Sequence, residues 1–472
     1  VSTWSRDEHQ QEIFQQQHFL VFCNYIKEKR IMKKRYAIVG VSHRALRLII
    51  EPVIDKYGSS AELVAYVDIS QERMDMMNKL KGTEIPCYLA DRYEAMLDEV
   101  RPDVVVVASV DATHHTYVIG ALERDIDVLC EKPLTIDAEK VRAILLAEKK
   151  SKGRVTVTFN YRYIPHSTRI RELMAEGRVG KVINLDMNYY LDTYHGSSFF
   201  MRWNRRRDMS GGLCTHKCSH HFDAVRWWID QKPVEVFAYG GRSYYGPNGP
   251  RNPSRKDGRV CPLCDERRKC AYYMRWHREE WRGGVSKGHD DDHVGGVQSL
   301  DHYKNHNARK CIYDSEIDIE DHYNAVIKFD RGAILNYSLN ASVPYEGYRL
   351  GINGLEGRLE TEFLEFRQGV RPPIGLRNGQ ITVMELFGAT TTIEPMTAKG
   401  NHSGGDPLMQ DEFFNGPDPD VSVSRMAPLA DGALAVLTGI AMRESIDTGK
   451  PVKIRDLLGE ELSRDILGVH PY

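Results

Sequence analysis

The sequence predicts an α/β protein that begins with a doubly wound parallel sheet. Three observations carry this reading. A strand runs into a glycine and then a helix in RYAIVGVSHRAL (35–46), a continuous apolar run follows in PDVVVVASVDATHH (102–115), and strand-like and helix-like segments alternate up to residue 160. A strand buried on both faces shows no polar alternation, so a run such as VVVV is expected where helices cover a sheet on both sides.

The first strand leads into a partial dinucleotide fingerprint at Gly40, Ser42 and Ala45. Gly40 supplies the tight turn and Ala45 lets the helix pack close to the strand. Ser42 replaces the glycine that admits a pyrophosphate, and its hydroxyl is expected to donate to a phosphate oxygen; His43 and Arg44 follow as candidate cofactor contacts. The second strand, ELVAYVDIS (62–70), ends in Asp68, where an acid binds ribose hydroxyls and repels a 2′-phosphate. NAD is therefore preferred, with NADP the alternative. The apolar run at 102–115 brings Ser109 and His114 to the same edge. A helix at about 116–124, the strand DVLC, a helix at about 137–150 and the strand RVTVTFN (154–160) complete the alternation.

Ligands of such sheets lie beyond the carboxyl ends of the strands. Glu131 and Lys132 leave the DVLC strand at that end, and Pro133 confines the lysine backbone to extended conformations. The Lys132 ammonium is thus aimed at the cofactor crevice.

Bulk composition excludes several classes. Lys+Arg (64) and Asp+Glu (66) nearly cancel over 472 residues, which removes the field that would draw the chain to nucleic acid or a membrane surface. Residues 1–31 hold a Gln-rich start and a short apolar run, HFLVFCNYI, whose positive charges follow it, the reverse of a secretory signal. These residues are expected to be a poorly packed extension before Met32, and the expected address is cytoplasmic. Nine cysteines, unevenly spread, do not make a secreted disulfide framework.

The strand followed by EKPL resembles the glucose–fructose oxidoreductase / inositol dehydrogenase (Gfo/Idh/MocA) family. Further matches are Asp111-x-x-His114, NYRY (160–163), EGRVGKV (176–182), His220-x-x-Asp223, GINGLEGRLE (351–360) and GKPVKIRDLL (449–458). The resemblance implies a Rossmann domain over 32–158, then a domain over 159–472 built on a large, mostly antiparallel open sheet. It implies an NAD(P)-dependent oxidoreductase of sugars or polyols, with a small carbohydrate as partner and the sheet's outer face packed on a second subunit in a homo-oligomer.

In SGGLCTHKCSHHFDAVRWWID (210–230) a glycine turn feeds a helix on which His216 and His220 share a face. His220 aligns with the family's catalytic histidine, and an imidazole titrates near working pH. His216 stands where the family usually has an aspartate, so it carries no fixed negative charge. A metal held by this pair is a minor alternative, and His221 reads as packing. Lys132 is then placed to stabilise charge on the reacting oxygen. Arg162, Tyr189 and His402 complete the expected substrate contacts, and RWNRRRD (202–208) adds arginines of the kind that bind sugar hydroxyls or an acid group. Asp406-Pro407 reads as a helix start with Asp406 as cap.

The insertion 242–312 contains C-x2-C-x5-C, so Cys261, Cys264, Cys270 and Cys311 are expected to bind structural zinc. An iron–sulfur cluster and bare thiols are the alternatives, with His277, His302 or His306 as substitute ligands. A hairpin is expected over 318–341 and an amphipathic helix over 428–449. Two other functions share the frame: a glycosidase that oxidises transiently, and a sugar sensor without turnover.

Overall fold

The computed structural model describes residues 33–276, 310–366, 370–394, 396, 398–400 and 402–468. Residues 1–31 and the alternative ligands His277, His302 and His306 lie outside the described residues.

Six parallel strands form the first sheet: β1 Lys34–Val39, β2 Ala61–Asp68, β3 Cys87–Leu89, β4 Val104–Val107, β5 Asp127–Cys130 and β6 Val155–Val157. Their order is β6-β5-β4-β1-β2-β3, reversing direction of growth at β1 and β4. All four valines of β4 are buried, as a sheet covered on both faces requires. Helices begin where local side chains satisfy free N–H groups. Asp137 accepts from Lys140 N at 2.9 Å to start Ala138–Lys150, and Ser70 accepts from Arg73 N at 3.3 Å to start Gln71–Lys81.

The second sheet takes β7 Val182–Asp192, β8 Pro233–Gly241, β9 His322–Phe329, β10 Ile334–Val343, β11 Glu346–Gly354, β12 Gly357–Glu365, β13 Ile381–Glu385 and β14 Thr390–Ile393. Two short segments, β15 Ala427–Pro428 and β16 Val452–Lys453, join the first and second sheets respectively. The second sheet has the order β14-β13-β12-β11-β7-β10-β9-β8-β16, and every pairing is antiparallel except β7 with β10. The fold class is therefore a Rossmann domain followed by an α/β domain with a large open sheet. The hairpin expected over 318–341 is β9–β10, and β9 alternates buried and exposed residues because one face meets the core and the other solvent.

The helix Leu429–Thr448 departs from the amphipathic reading. It is buried almost all round from Leu429 to Met442. A Cβ on Gly432 would come 2.4 Å from Val157, and one on Gly439 would come 2.3 Å from the Cys214 carbonyl oxygen. Small residues on two faces let one helix touch the β6 edge of the first sheet and the second domain together. Its C-terminus stops at Gly449 in the left-handed region, as expected. No helix among the described residues is long and apolar enough to cross a membrane.

Candidate active site

A cavity of about 550 Å³ runs along the carboxyl ends of β1, β2, β4 and β5 and against the second domain. At one end the Gly40 backbone turns with φ +82°, and a Cβ there would lie 2.6 Å from the Ala108 and Ser109 backbone. Only glycine fits that turn. Ser42 does not free its hydroxyl for a ligand: it donates to Ala108 O at 3.2 Å and accepts from Ala45 N at 3.3 Å. The expected donation to a phosphate is corrected accordingly. Asp68 accepts from Val41 N at 2.8 Å and Ser70 N at 3.0 Å and pairs with Arg73 at 3.2 Å. This bare turn, with a carboxylate at the end of β2, fits a dinucleotide.

His43, Ser109 and His114 lie in the cavity wall. His114 is 1% exposed, and its ring nitrogens lie 2.9 Å from Pro133 O and 3.0 Å from Ser109 O. It braces the loop after β4 against the loop after β5. The Lys132–Pro133 bond in that second loop is cis.

Glu131 and Arg44 serve each other. Glu131 accepts from Arg44 at 2.8 Å and from Thr158 at 2.7 Å, and Arg44 continues to Asp406 at 2.8 Å. Asp406 also accepts from Asn160 at 2.9 Å and lies 2.7 Å from His402 Nδ1. Burial alone would raise the Asp406 carboxyl, but Arg44 and His402 overcome it and hold the group well below the usual carboxylate range. The helix here begins at Gly405 with Gly404 as the capping residue, so the reading of Asp406 as N-cap is corrected. Its carboxylate instead fixes Arg44 and brings His402 to the cavity.

Beyond this bracket the two domains meet. The Lys132 ammonium lies 3.4 Å from the carbonyl oxygen of His216. Burial lowers its pKa to about 8, against the opposing pull of Asp111 and Glu131. His216 closes the short helix Leu213–His216, and His220 sits in the next helix, Cys218–Ile229, so the two are separated by a break at Lys217. Both still line the cavity. His216 Nδ1 bonds Asp111, and its Nε2 lies 3.3 Å from Asn204 Nδ2. Burial pushes the Asp111 carboxyl up to about 7 and the His216 imidazole down, so a single proton held between them satisfies both.

His220 has no hydrogen-bond partner among the described residues, and its Nδ1 is buried unsatisfied. The ring stacks on Tyr161 with centroids 4.5 Å apart. Burial first, then Lys132 and Lys217, hold it neutral. A neutral imidazole with an open nitrogen is a proton acceptor.

Two expected substrate contacts do not reach the cavity. Arg162 is 1% exposed and is bonded to Asp223 at 2.8 Å and Asp431 at 2.8 Å. It neutralises carboxylates in the core. Tyr189 is buried, its hydroxyl 2.7 Å from that of Tyr161 and its ring stacked on His221 at 3.7 Å. It supports Tyr161 from behind. His221 is a packing residue, as expected, with Nδ1 2.7 Å from Tyr337 Oη.

The cavity also holds Lys217, Phe199 and His195, which sequence reasoning passed over, and Arg202, Trp203 and Asn204 from the run RWNRRRD (202–208). The run RWNRRRD carried part of the signal, but its arginines diverge. Arg205 pairs with Asp314 at 3.2 Å, Arg206 with Asp208 at 2.9 Å, and Arg207 with Asp447 at 3.0 Å. Arg202 alone of the four turns to the cavity.

Cys261, Cys264, Cys270 and Cys311 are free thiols around one small cavity shared with Tyr273 and Tyr313. Among the described residues no group of three or more His, Cys, Asp or Glu is disposed to hold a metal ion. The zinc expectation, and the minor one at His216 and His220, gain no support among the described residues. Burial pushes the Cys311 thiol up to about 11.

Comparison with known proteins agrees with the geometry. Residues 34–159 match the oxidoreductase family NAD-binding Rossmann fold, and 171–454 match the same family's C-terminal alpha/beta domain. A putative oxidoreductase of Bacillus subtilis, YteT, is 39% identical over 427 residues, covering 90% of this chain and 98% of that one. An inositol 2-dehydrogenase of Rubrobacter xylanophilus is 30% identical over 189 residues, 38% of this chain and 48% of its own. Among solved structures, a levoglucosan dehydrogenase in complex with NADH and levoglucosan superposes with a TM-score of 0.59 at 16% identity, over 90% of this chain and all of that one.

Proposed function

Because the chain belongs to the Gfo/Idh/MocA oxidoreductase family, we propose that it is an NAD-dependent dehydrogenase oxidising one hydroxyl-bearing carbon of a sugar or polyol. The observation that carries this reading is the convergence of Lys132 and His220, from two domains, on one cavity. The relatives that act on inositol and levoglucosan support a polyhydroxy substrate.

NAD, when bound, supplies the hydride acceptor. Lys132 donates a hydrogen bond to the reacting oxygen and stabilises negative charge as it develops. His220 takes the hydroxyl proton, for which its open ring is free. Asp111 holds His216 in one orientation, and the His216 carbonyl in turn orients the Lys132 ammonium. Asp68 at the end of β2 favours NAD over NADP. A second copy of the chain packs on the outer face of the open sheet, where Tyr239 (67%), Val326 (47%) and Ile334 (43%) are exposed; light scattering should then give a mass above one chain.

The test is NADH formation across a panel of free sugars, glycosides, inositols and sugar acids. At least one class should reduce NAD stoichiometrically. Cleavage of a glycoside without net NADH, or no turnover with any member, would contradict the assignment.

A further inference from the structure

We propose that the substrate carries a carboxylate, bound by Lys217 and Arg202 beside the reacting hydroxyl. The inference rests on the dehydrogenase reading above and names the substrate class for that same cavity.

Five basic side chains line the cavity: Arg44, Arg73, Lys132, Lys217 and Arg202. Two are already neutralised, Arg44 by Glu131 and Asp406 and Arg73 by Asp68. Lys132, Lys217 and Arg202 remain, and the cavity acid on their side is Asp111, which is bonded to His216. Two of the three thus form no ion pair with a cavity acid even if Asp111 is ionised.

The Arg202 guanidinium makes no ion pair or hydrogen bond with any described residue. Lys217 is 6% exposed, yet its ammonium bonds only a neutral group, the Tyr161 hydroxyl at 3.1 Å. It lies 5.4 Å and 5.2 Å from the ring centroids of Tyr161 and Tyr189. The acid closest in influence, Glu346, is bonded to His195 at 2.8 Å. Burial opposes the charge on Lys217, and the Tyr161 hydroxyl with the field of Glu346 sustains it in place of a paired carboxylate. An anion arriving with the ligand supplies the direct partner.

The cations surround the reacting centre. Lys132, Lys217 and Arg202 all disfavour the charged form of His216, so all three fields meet at that ring. Phe199 and Trp203 meet His216 in T-shaped contacts with ring centroids 5.5 Å and 5.7 Å apart. This is an apolar wall for the C–H face of a sugar with two cations at its rim. Neutral hydroxyls are satisfied by carbonyls and amides; a planar carboxylate is what an unpaired guanidinium recognises. The pyrophosphate of a dinucleotide belongs to the Gly40 turn on β1, whereas Lys217 precedes the helix Cys218–Ile229 of the second domain.

Calorimetric titration of the protein–NADH complex with galacturonate, glucuronate and gluconate, against the methyl esters of the uronates and the parent sugars, tests this. At least one acid should bind roughly tenfold or more tighter than its neutral counterpart. Arg202→Gln should erase most of that difference and leave the NADH Kd unchanged, while Arg202→Lys should keep part of it. Equal binding of acid and ester, binding of no acid, or a loss in Arg202→Gln that falls on NADH would overturn the proposal. If acids are preferred in binding but nothing reduces NAD, the dehydrogenase reading fails and the carboxylate site stands. If neutral sugars are oxidised as well as acids, the reverse holds.

Discussion

The ammonium of Lys132 lies 3.4 Å from the backbone carbonyl oxygen of His216, joining the turn after a Rossmann strand to the turn before the His220 helix. The contact holds the amine over the cavity without neutralising it. Lys132→Ala should therefore lower kcat by roughly 10²–10³ and change the NAD Kd by less than about threefold. Steady-state kinetics with fluorescence titration of NAD separates the two effects. Loss of cofactor affinity in place of kcat would show that Lys132 binds the dinucleotide.

The pH profile follows from the same burial. The Lys132 ammonium falls from an ordinary 10.5 to about 8, so it is charged below that pH and neutral above it. Activity that needs the ammonium should decline as pH rises through about 8. His220 is held neutral by burial and by Lys132, so the base remains available down to well below 6.5. The profile of kcat/KM should be flat near neutrality with a basic limb at about 8, and Lys132→Arg should move that limb upward. A profile still rising above about pH 9 contradicts the role of the ammonium.

The proposed preference for NAD rests on Asp68, which meets Arg73 at 3.2 Å. The carboxylate that repels a 2′-phosphate sits beside a guanidinium that attracts one. Asp68→Asn removes the first and keeps the second, so the kcat/KM ratio for NADP over NAD should rise at least roughly tenfold. An unchanged ratio would place the adenosine ribose elsewhere.

Arg162 is a test of stability. Removing it in Arg162→Met leaves Asp223, 0% exposed, without its partner, and should cost about 3–5 kcal/mol in urea unfolding. The folded variant should keep its KM for sugar within about threefold. A selective rise in KM at undiminished stability would return Arg162 to the substrate.

These cases also show what a sequence discloses. Gly40, Asp68 and Lys132 were legible because each sits at a strand end whose direction fixes where the residue points. His220 was legible from its local motif. Arg162 was not, because its partners lie 61 and 269 residues away and nothing local distinguishes a core guanidinium from a sugar-binding one. Lys217 was hidden by the break between two short helices, which turns it into the cavity beside the two histidines. The helix Leu429–Thr448 looked amphipathic because its surroundings, two domains at once, are not written in its own periodicity.

The most direct test of the shared site is a double-mutant cycle on Lys132→Ala and His220→Ala, read as kcat with the best substrate of the panel. If amine and imidazole act on one oxygen, each single variant should lose roughly 10²–10³ and the double variant should lose no more than about tenfold beyond the worse single. Losses that multiply, or a single variant with undiminished turnover, would show that the two groups do not act on the same alcohol.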